Sequence, residues 1–327
     1  MLRRYHYADI STEHKVQQVL DWLYEKEISN DGNYRHQRNG DEIFLQGTGQ
    51  WLIEDLHFEA WIDPSTQENA IWLHGGPGMG KSVMCARAVS AVRLRDPFAT
   101  IAFQYYSFDN DNEHPTSTYR NIAAQLFYQL NEYDDILDQI INLTRSPDSE
   151  AAIKTCIELM ITDAKQTYVF IDGIDEKCAE SQTWASARDV LRFLLNLSRR
   201  PSSRLKLWCS SQNHQQIRDE LSSIQEIPMN ESTNGKDIEI FFENALRKKF
   251  EKRFSKFEAA GSKAFVLQEL KSQAHGNFLW ASLMLRTIEQ AISMQDLREK
   301  LKEGLPEDFQ KYLSKQVQNM KRSPFVV

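Results

Sequence analysis

The chain has 327 residues, of which 41% are hydrophobic and 26% are charged, so it can bury a substantial core and has the length of about two domains. Its formal charge of −7 excludes an overall basic surface, and no binding to nucleic acid is expected. The four widely spaced cysteines form no C-x-x-C pair, which predicts buried free thiols instead of a disulfide framework or a zinc knuckle. No apolar signal segment or membrane-spanning run is visible, which predicts a cytoplasmic protein without a membrane span.

The hydrophobic pattern changes along the chain. Residues 16–25 have helical periodicity, and a polar loop follows at 29–41. From Ala70 onward, short apolar runs alternate with longer amphipathic segments, which is typical of strands and helices around a parallel sheet. The predicted strands are Ile71–His74, Thr100–Tyr106, Tyr168–Asp172, Lys206–Ser210 and Ile224–Pro228. The best-defined helices among them are Lys81–Arg95, Thr118–Leu130, Glu150–Ala164 and Thr183–Leu197.

After Met229 the pattern predicts helices only. The helical segments are Lys236–Phe250, Ser262–Ala274, Phe278–Ile292 and Met294–Leu301. The predicted fold class is therefore α/β: a three-layer sandwich with a central parallel sheet, followed by an α-helical subdomain. The predicted boundaries are 1–65 for an N-terminal helix and linker, 66–230 for the sheet core and 231–327 for the helical subdomain.

A glycine-rich segment joins the first predicted strand to the first long helix. Gly75-Gly76-Pro77-Gly78-Met79-Gly80-Lys81-Ser82 fits the P-loop pattern G-x-x-x-x-G-K-[ST], in which glycines at 75, 78 and 80 free the backbone to bring N–H groups close to phosphate oxygens. Lys81 would reach the β- and γ-phosphates, and Ser82 would bind Mg²⁺. The predicted nucleotide-binding residues are Gly75, Gly76, Pro77, Gly78, Met79, Gly80, Lys81, Ser82 and Val83. The alternative is an ordinary strand-to-helix turn.

An acidic segment follows the third predicted strand. P-loop enzymes use an acid at the end of a neighbouring strand to orient the metal, and Asp172 ends the apolar run that begins at Tyr168. Asp172 is therefore the predicted second Mg²⁺ residue. Asp175 and Glu176 come directly after it, and either carboxylate would orient or deprotonate an attacking water. The predicted catalytic set is Lys81, Asp172, Asp175 and Glu176, and the alternative is that the acids are solvated loop charges or helix caps.

The P-loop and the segment Phe170-Ile171-Asp172-Gly173-Ile174-Asp175-Glu176 together resemble the NACHT branch of the signal-transducing STAND P-loop NTPases. Three further segments are similar to those of fungal-type NACHT proteins of the NLR-like class. They are Gly47-Thr48-Gly49-Gln50-Trp51-Leu52, Gly276-Asn277-Phe278-Leu279-Trp280-Ala281 and Leu305-Pro306-Glu307-Asp308. The resemblance runs from about residue 18 to 315, nearly the whole chain. The first of these segments has two interpretations: a direct contact with the nucleotide base, or a tight turn with a tryptophan docked on the core.

The resemblance implies a signalling switch of the kind used in innate immunity and programmed cell death. A diphosphate would hold a closed monomer, and triphosphate with Mg²⁺ would favour a homo-oligomer or co-assembly with related NACHT proteins. The nucleotide would be ATP or ADP, with GTP or GDP as the alternative, since Phe278 stands where relatives have a base-contacting proline. Gln212 stands where the family's sensor segment ends in arginine, so slow hydrolysis by a weak ATPase or GTPase is expected.

Two other interpretations remain open at this point. The first is a hydrolytically weak nucleotide-binding interaction module, favoured by Gln212 and by the absence of a winged-helix or repeat pattern before Val327. Such a chain would be a fragment of a longer receptor or a minimal member that regulates full-length partners by co-assembly. The second is a P-loop kinase or metabolic enzyme, but the sequence has no signature of a second substrate.

Overall fold

The computed structural model describes residues 10–24, 45–106, 115–130, 134–146, 149–163, 166–178, 181–201, 203–254 and 262–305. The strands are β1 (Ala70–Gly75), β2 (Thr100–Tyr105), β3 (Thr167–Asp172), β4 (Leu205–Ser211) and β5 (Gln225–Met229). The predicted loop at 29–41 and the family segment at 306–308 lie outside the described residues.

The helices were predicted well where they are long. They are α1 (Ile10–Leu23), α2 (Gln50–Ile53), α3 (Leu56–Ile62), α4 (Lys81–Arg95), α5 (Pro115–Leu130), α6 (Asp134–Leu143), α7 (Glu150–Asp163), a 3-10 helix (Ile174–Lys177), α8 (Ser181–Ser198), α9 (Gln215–Leu221), α10 (Glu231–Phe254), α11 (Ser262–Ala274), α12 (Phe278–Glu289) and α13 (Met294–Glu303). In the described part of the chain, no helix has both the length and the apolar character needed to cross a bilayer.

The five strands form one sheet in the order β2-β3-β4-β1-β5. The pairings of β2 with β3, β3 with β4 and β4 with β1 are all parallel. Every residue of β1 to β4 is buried, as expected of strands covered on both faces by crossover helices. The α/β fold class, with helices after the sheet, is therefore confirmed. One detail differs from expectation, because β4 lies between β1 and β3 and the acid-bearing strand is not the immediate neighbour of the P-loop strand.

The described residues fall into two compact units. The first contains α1, Ile53–His74 and Met84–Ile227, and its core includes the fully buried side chains of Trp61, Trp72 and Trp208. The second contains residues 45–52, Gly75–Val83 and the described residues from 228 onward. Its core is built from α10 to α13, where the fully buried side chains include Phe242, Leu270 and Met284.

Strand β2 is at one edge of the sheet, and side chains take the place of a further strand there. The amide of Gln125 on α5 donates to Phe103 O at 2.9 Å and accepts from Phe103 N at 3.0 Å. Gln129, one helical turn later, makes the same pair of bonds to Ile101 at 2.8 and 3.0 Å. The two glutamines complete the ladder, and the edge is therefore not a template for pairing with another chain.

Gln125→Leu is expected to lower the free energy of unfolding by about 2–4 kcal/mol, because it leaves two buried backbone groups of Phe103 without partners. Gln129→Leu on the same helix is the matched control. Gln129 is exposed whereas Gln125 is 1% exposed, so water reaches the space left at position 129 more readily, and we expect a smaller loss of about 1 kcal/mol. Urea denaturation of both variants checks the difference. Unchanged stability in the Gln125 variant would show that this side chain does not close the edge in this way.

Candidate functional site

The P-loop follows β1 directly and ends at the first residue of α4, as the sequence predicts. Gly78 has a φ of 75° and Gly80 a φ of 90°, in the left-handed region that favours glycine. A Cβ at Gly78 would lie 2.7 Å from Asn277 Oδ1, so no side chain fits there. Gly75 differs from expectation: its φ is not positive, and its missing side chain instead allows Met229 Cβ to lie 2.8 Å from the Cβ position.

The side chain of Lys81 lies back over its own loop. Nζ donates to the carbonyl oxygen of Gly75 at 3.1 Å and of Gly76 at 3.0 Å. These bonds place the ammonium above the loop. Ser82 is exposed and Val83 is half-buried, so the Ser82 hydroxyl is accessible to a solvated metal ion.

The next three loop carbonyls accept hydrogen bonds from the helical unit. The bonds are Asn277 Nδ2 to Pro77 O at 2.9 Å, Leu279 N to Gly78 O at 3.2 Å and Asn234 Nδ2 to Met79 O at 3.0 Å. Five successive carbonyls, from Gly75 to Met79, are therefore hydrogen-bonded.

The N–H groups of the loop, unlike its carbonyls, have no hydrogen-bond partners among the described residues. Within the described residues, the N–H groups of Gly76, Gly78, Met79 and Gly80 donate no hydrogen bond. Successive N–H groups of this kind, at the N-terminal end of a helix, form a concave site for an anion. The loop has the geometry that phosphate binding requires.

Asp172 lies at the carboxyl end of β3 and is only 4% exposed. Its Oδ1 accepts a hydrogen bond of 2.5 Å from Ser210 Oγ, and Trp208 Nε1 donates to the same hydroxyl at 3.1 Å. Burial and then the Asp172 charge raise the pKa of the Cys85 thiol well above its ordinary value. Cys85 is in the second turn of α4, so the Asp172 charge acts on a residue of that helix.

The two other predicted acids have different surroundings. Asp175 is 9% exposed, and its Oδ1 accepts from the backbone N of Gln212 at 2.9 Å. Its carboxylate therefore holds the start of the segment that follows β4. Glu176 is half-buried, and its backbone N donates to Gly173 O at 2.9 Å. Of the two acids, Glu176 has the more accessible side chain.

The turn at Gly47–Trp51 is held by a buried acid that the sequence analysis missed. Asp237 Oδ2, on α10, accepts from Gly49 N at 2.8 Å and from Trp51 Nε1 at 3.1 Å. Burial raises the pKa of Asp237, while the bonds from Gly49 and Trp51 act in the opposite direction. Since the indole N–H is already bound, the geometry favours the interpretation of this segment as a tight turn with a docked tryptophan.

Asn234 was also missed. It lies two residues before the predicted helix Lys236–Phe250, in a stretch to which no element was assigned, and only the structure places it inside α10. Asn277 directly precedes an apolar helical run, which is the position of an N-cap. Its side chain accepts from Trp280 N at 2.9 Å, as that position predicts.

A cavity of about 890 Å³ lies elsewhere, where β1 and β4 begin. It is lined by Ala70 and Lys206 among others, whereas the P-loop follows the other end of β1. Burial lowers the pKa of Lys206 to about 8, and Nζ donates to the carbonyl oxygens of Thr66 and Glu68 at 3.1 and 2.9 Å. These bonds tie a turn to the sheet, so we assign Lys206 a structural role.

These features define a class of fold. A parallel sheet whose first strand leads through G-G-P-G-M-G-K-S into a helix, and whose third strand ends in a buried carboxylate, is a P-loop NTPase fold. The ORC2 protein of Aeropyrum pernix, solved as ADPNP–ADP complexes, is similar in structure, with a TM-score of 0.51 and 12% identity over 82% of this chain and 72% of that chain. The AAA domain of FIGL-1 in complex with ADP matches with a TM-score of 0.43 and 12% identity, over 85% of this chain and 88% of that one. At 12% identity, the similarity to the ORC2 protein establishes the fold alone.

The family follows from the sequence itself. Residues 47–212, half of the chain, match the family described as Nephrocystin 3, N-terminal. The chain therefore belongs to the nephrocystin 3 N-terminal family. The matched region begins at Gly47 and ends at Gln212, so it contains the P-loop and the acidic segment. A search of curated proteins gave no match.

Proposed function

We propose that this chain is a NACHT-type signalling switch that binds a nucleoside triphosphate with Mg²⁺, hydrolyses it slowly and assembles under nucleotide control. The observation that carries the proposal is the P-loop itself. Its five bonded carbonyls and its row of N–H groups without partners among the described residues form an anion site with an ammonium above it.

Each site residue then has one task. Residues Gly75 to Val83 would bind the polyphosphate, with Lys81 neutralising the β- and γ-phosphates. Mg²⁺ would be held by Ser82 and by Asp172, and the metal would neutralise charge on the phosphates. Glu176 would orient the attacking water, while Asp175 would act through the backbone of Gln212.

Slow turnover is expected from the segment after β4. Gln212 can donate a hydrogen bond to a phosphate oxygen, but its neutral amide cannot offset developing negative charge as a guanidinium does. Low turnover suits a switch, because the triphosphate state must persist long enough for assembly. The partners in this proposal are further copies of the chain or related NACHT proteins, and signalling of the NLR type is its biological context.

Size-exclusion chromatography with light scattering, in ADP, ATP and GTP or their non-hydrolysable analogues, combined with a turnover assay, tests the switch. The expected result is a monomer with diphosphate, a larger species with triphosphate and slow hydrolysis. Binding of triphosphate without assembly or turnover would instead support the second candidate function, a hydrolytically weak nucleotide-binding module that regulates partners by co-assembly. Gln212 is the observation that favours this second candidate.

Gln212→Arg is expected to speed hydrolysis about tenfold or more, because a guanidinium stabilises charge that develops on the γ-phosphate. Single-turnover hydrolysis measures the effect. Gln212→Lys is a useful comparison, since it restores a positive charge without the planar, bidentate donor geometry. An unchanged rate in the arginine variant would argue against a sensor role for this position.

A further inference from the structure

The side-chain amides of two asparagines donate hydrogen bonds to carbonyl oxygens of the P-loop. We call them the clamp asparagines: Asn234 on α10 and Asn277 before α12. Asn234 is 1% exposed, and its Nδ2 donates to Met79 O at 3.0 Å and to Gly276 O at 2.9 Å. Both protons of this amide are therefore used, and the side chain ties the loop to the turn that contains Gly276.

Asn277 divides its side chain between two tasks. Its Oδ1 accepts from Trp280 N at 2.9 Å and so caps α12, while its Nδ2 donates to Pro77 O at 2.9 Å. The backbone N of Leu279, in the first turn of the same helix, donates to Gly78 O at 3.2 Å. The N-terminal end of α12 therefore contacts the P-loop through the side chain of Asn277 and the backbone of Leu279.

These bonds set the direction of the loop N–H groups. A trans peptide is planar, and its C=O and N–H point in opposite directions. The carbonyls of Pro77, Gly78 and Met79 are directed at Asn277, Leu279 and Asn234 respectively, so the N–H group of the residue after each carbonyl points away from these donors. Those are the N–H groups of Gly78, Met79 and Gly80, which form the anion site.

We propose that Asn234 and Asn277 are positioning residues for polyphosphate binding: they fix the peptide planes of the P-loop so that its N–H groups converge on the phosphates. This inference rests on the proposed function, because it concerns the same loop. It assigns no contact with the nucleotide to either asparagine. Their effect is therefore the same for any ligand that carries the polyphosphate group.

Asn277→Ser removes the hydrogen bond to Pro77 O but keeps the N-cap of α12. A serine hydroxyl can still accept from Trp280 N as an N-cap but cannot reach Pro77 O with a second donor. We expect MgATP and magnesium pyrophosphate to bind about fivefold more weakly, by the same factor for both ligands, as loss of one positioning bond predicts. Isothermal titration well below the melting temperature measures both affinities. Ser293→Ala, which removes the cap of α13, is the control for helix stability and should leave both affinities unchanged.

Asn234→Asp tests the second clamp residue, since a carboxylate would face two carbonyl oxygens. We expect a larger loss, of more than about tenfold, and the thermal melt without ligand shows whether the variant is folded.

The Asn277 variant decides the question if the Asn234 variant does not fold. Wild-type affinity of folded Asn277→Ser for both ligands would overturn the inference. So would a loss for MgATP with none for pyrophosphate, because the clamp acts on the phosphate loop alone. A wild-type chain that binds neither ligand would overturn the proposed function itself.

Discussion

Replacing Lys81 with alanine is expected to weaken MgATP binding by about 100-fold or more. The ammonium would make charge-assisted hydrogen bonds to two phosphates, each worth about 1.5–3 kcal/mol. The fold should remain, because removing the half-buried Lys81 side chain would let water reach the carbonyl oxygens of Gly75 and Gly76 that it contacts. Isothermal titration gives the affinity, and the thermal melt of the unliganded variant checks the fold.

Lys271→Ala is the matched control for the loss of one positive charge in the same compact unit. Lys271 lies on α11 and forms an ion pair of 2.7 Å with Glu239, away from the P-loop sequence. Its replacement should leave nucleotide affinity unchanged and cost little stability, since partly exposed ion pairs contribute about 0–1 kcal/mol. Unchanged MgATP affinity in the Lys81 variant would remove the basis of the proposed function.

Replacing Asp172 with asparagine is expected to abolish the Mg²⁺-dependent part of nucleotide affinity and to slow hydrolysis by about 100-fold or more. Asparagine keeps the shape of the side chain and an oxygen that can accept from Ser210 Oγ, so the change removes charge with little disturbance of packing. A neutral amide is a much weaker partner for Mg²⁺ than a carboxylate.

Titration of ATP with and without Mg²⁺ measures this effect directly. In the Asp172 variant the two affinities should become nearly equal, whereas Asp138→Asn should behave like the unmodified chain. Asp138 is an exposed acid whose ion pair with Lys15 spans 2.6 Å. If Mg²⁺ strengthens binding equally in the Asp172 variant and the unmodified chain, another acid holds the metal. Glu176→Gln would then be the next variant, with turnover as its measurement.

The short helices show where sequence periodicity is weak. Helices α3 and α9 have seven residues each, too few for an apolar period to repeat more than once. Helix α6 is different, because Ile136, Leu137 and Ile140 are buried at helical spacing and the pattern is present in the sequence. The predicted helix before it ends at Leu130, and the apolar period that begins at Ile136 was not assigned to an element.

The strands and the long helices were predictable because their signals are local. A continuous apolar run indicates a strand buried on both faces, and α4 begins at Lys81 because the glycine-rich loop ends there. The P-loop is likewise a local pattern, since adjacent residues supply its N–H groups, its ammonium and its hydroxyl. For the same reason Asp172 was found at the end of its strand.

The sequence by itself therefore determined the fold class, the phosphate loop and the acid at the end of β3. Only the tertiary structure decided that β4 separates β1 from β3, that Asn234 bonds a loop residue 155 positions away, and that Asn277 bonds one 200 positions away. The reason is physical. A hydrogen bond between distant residues leaves no period in the sequence, because its donor and acceptor meet only after the chain has folded, whereas a helix, strand or phosphate loop is built from neighbours.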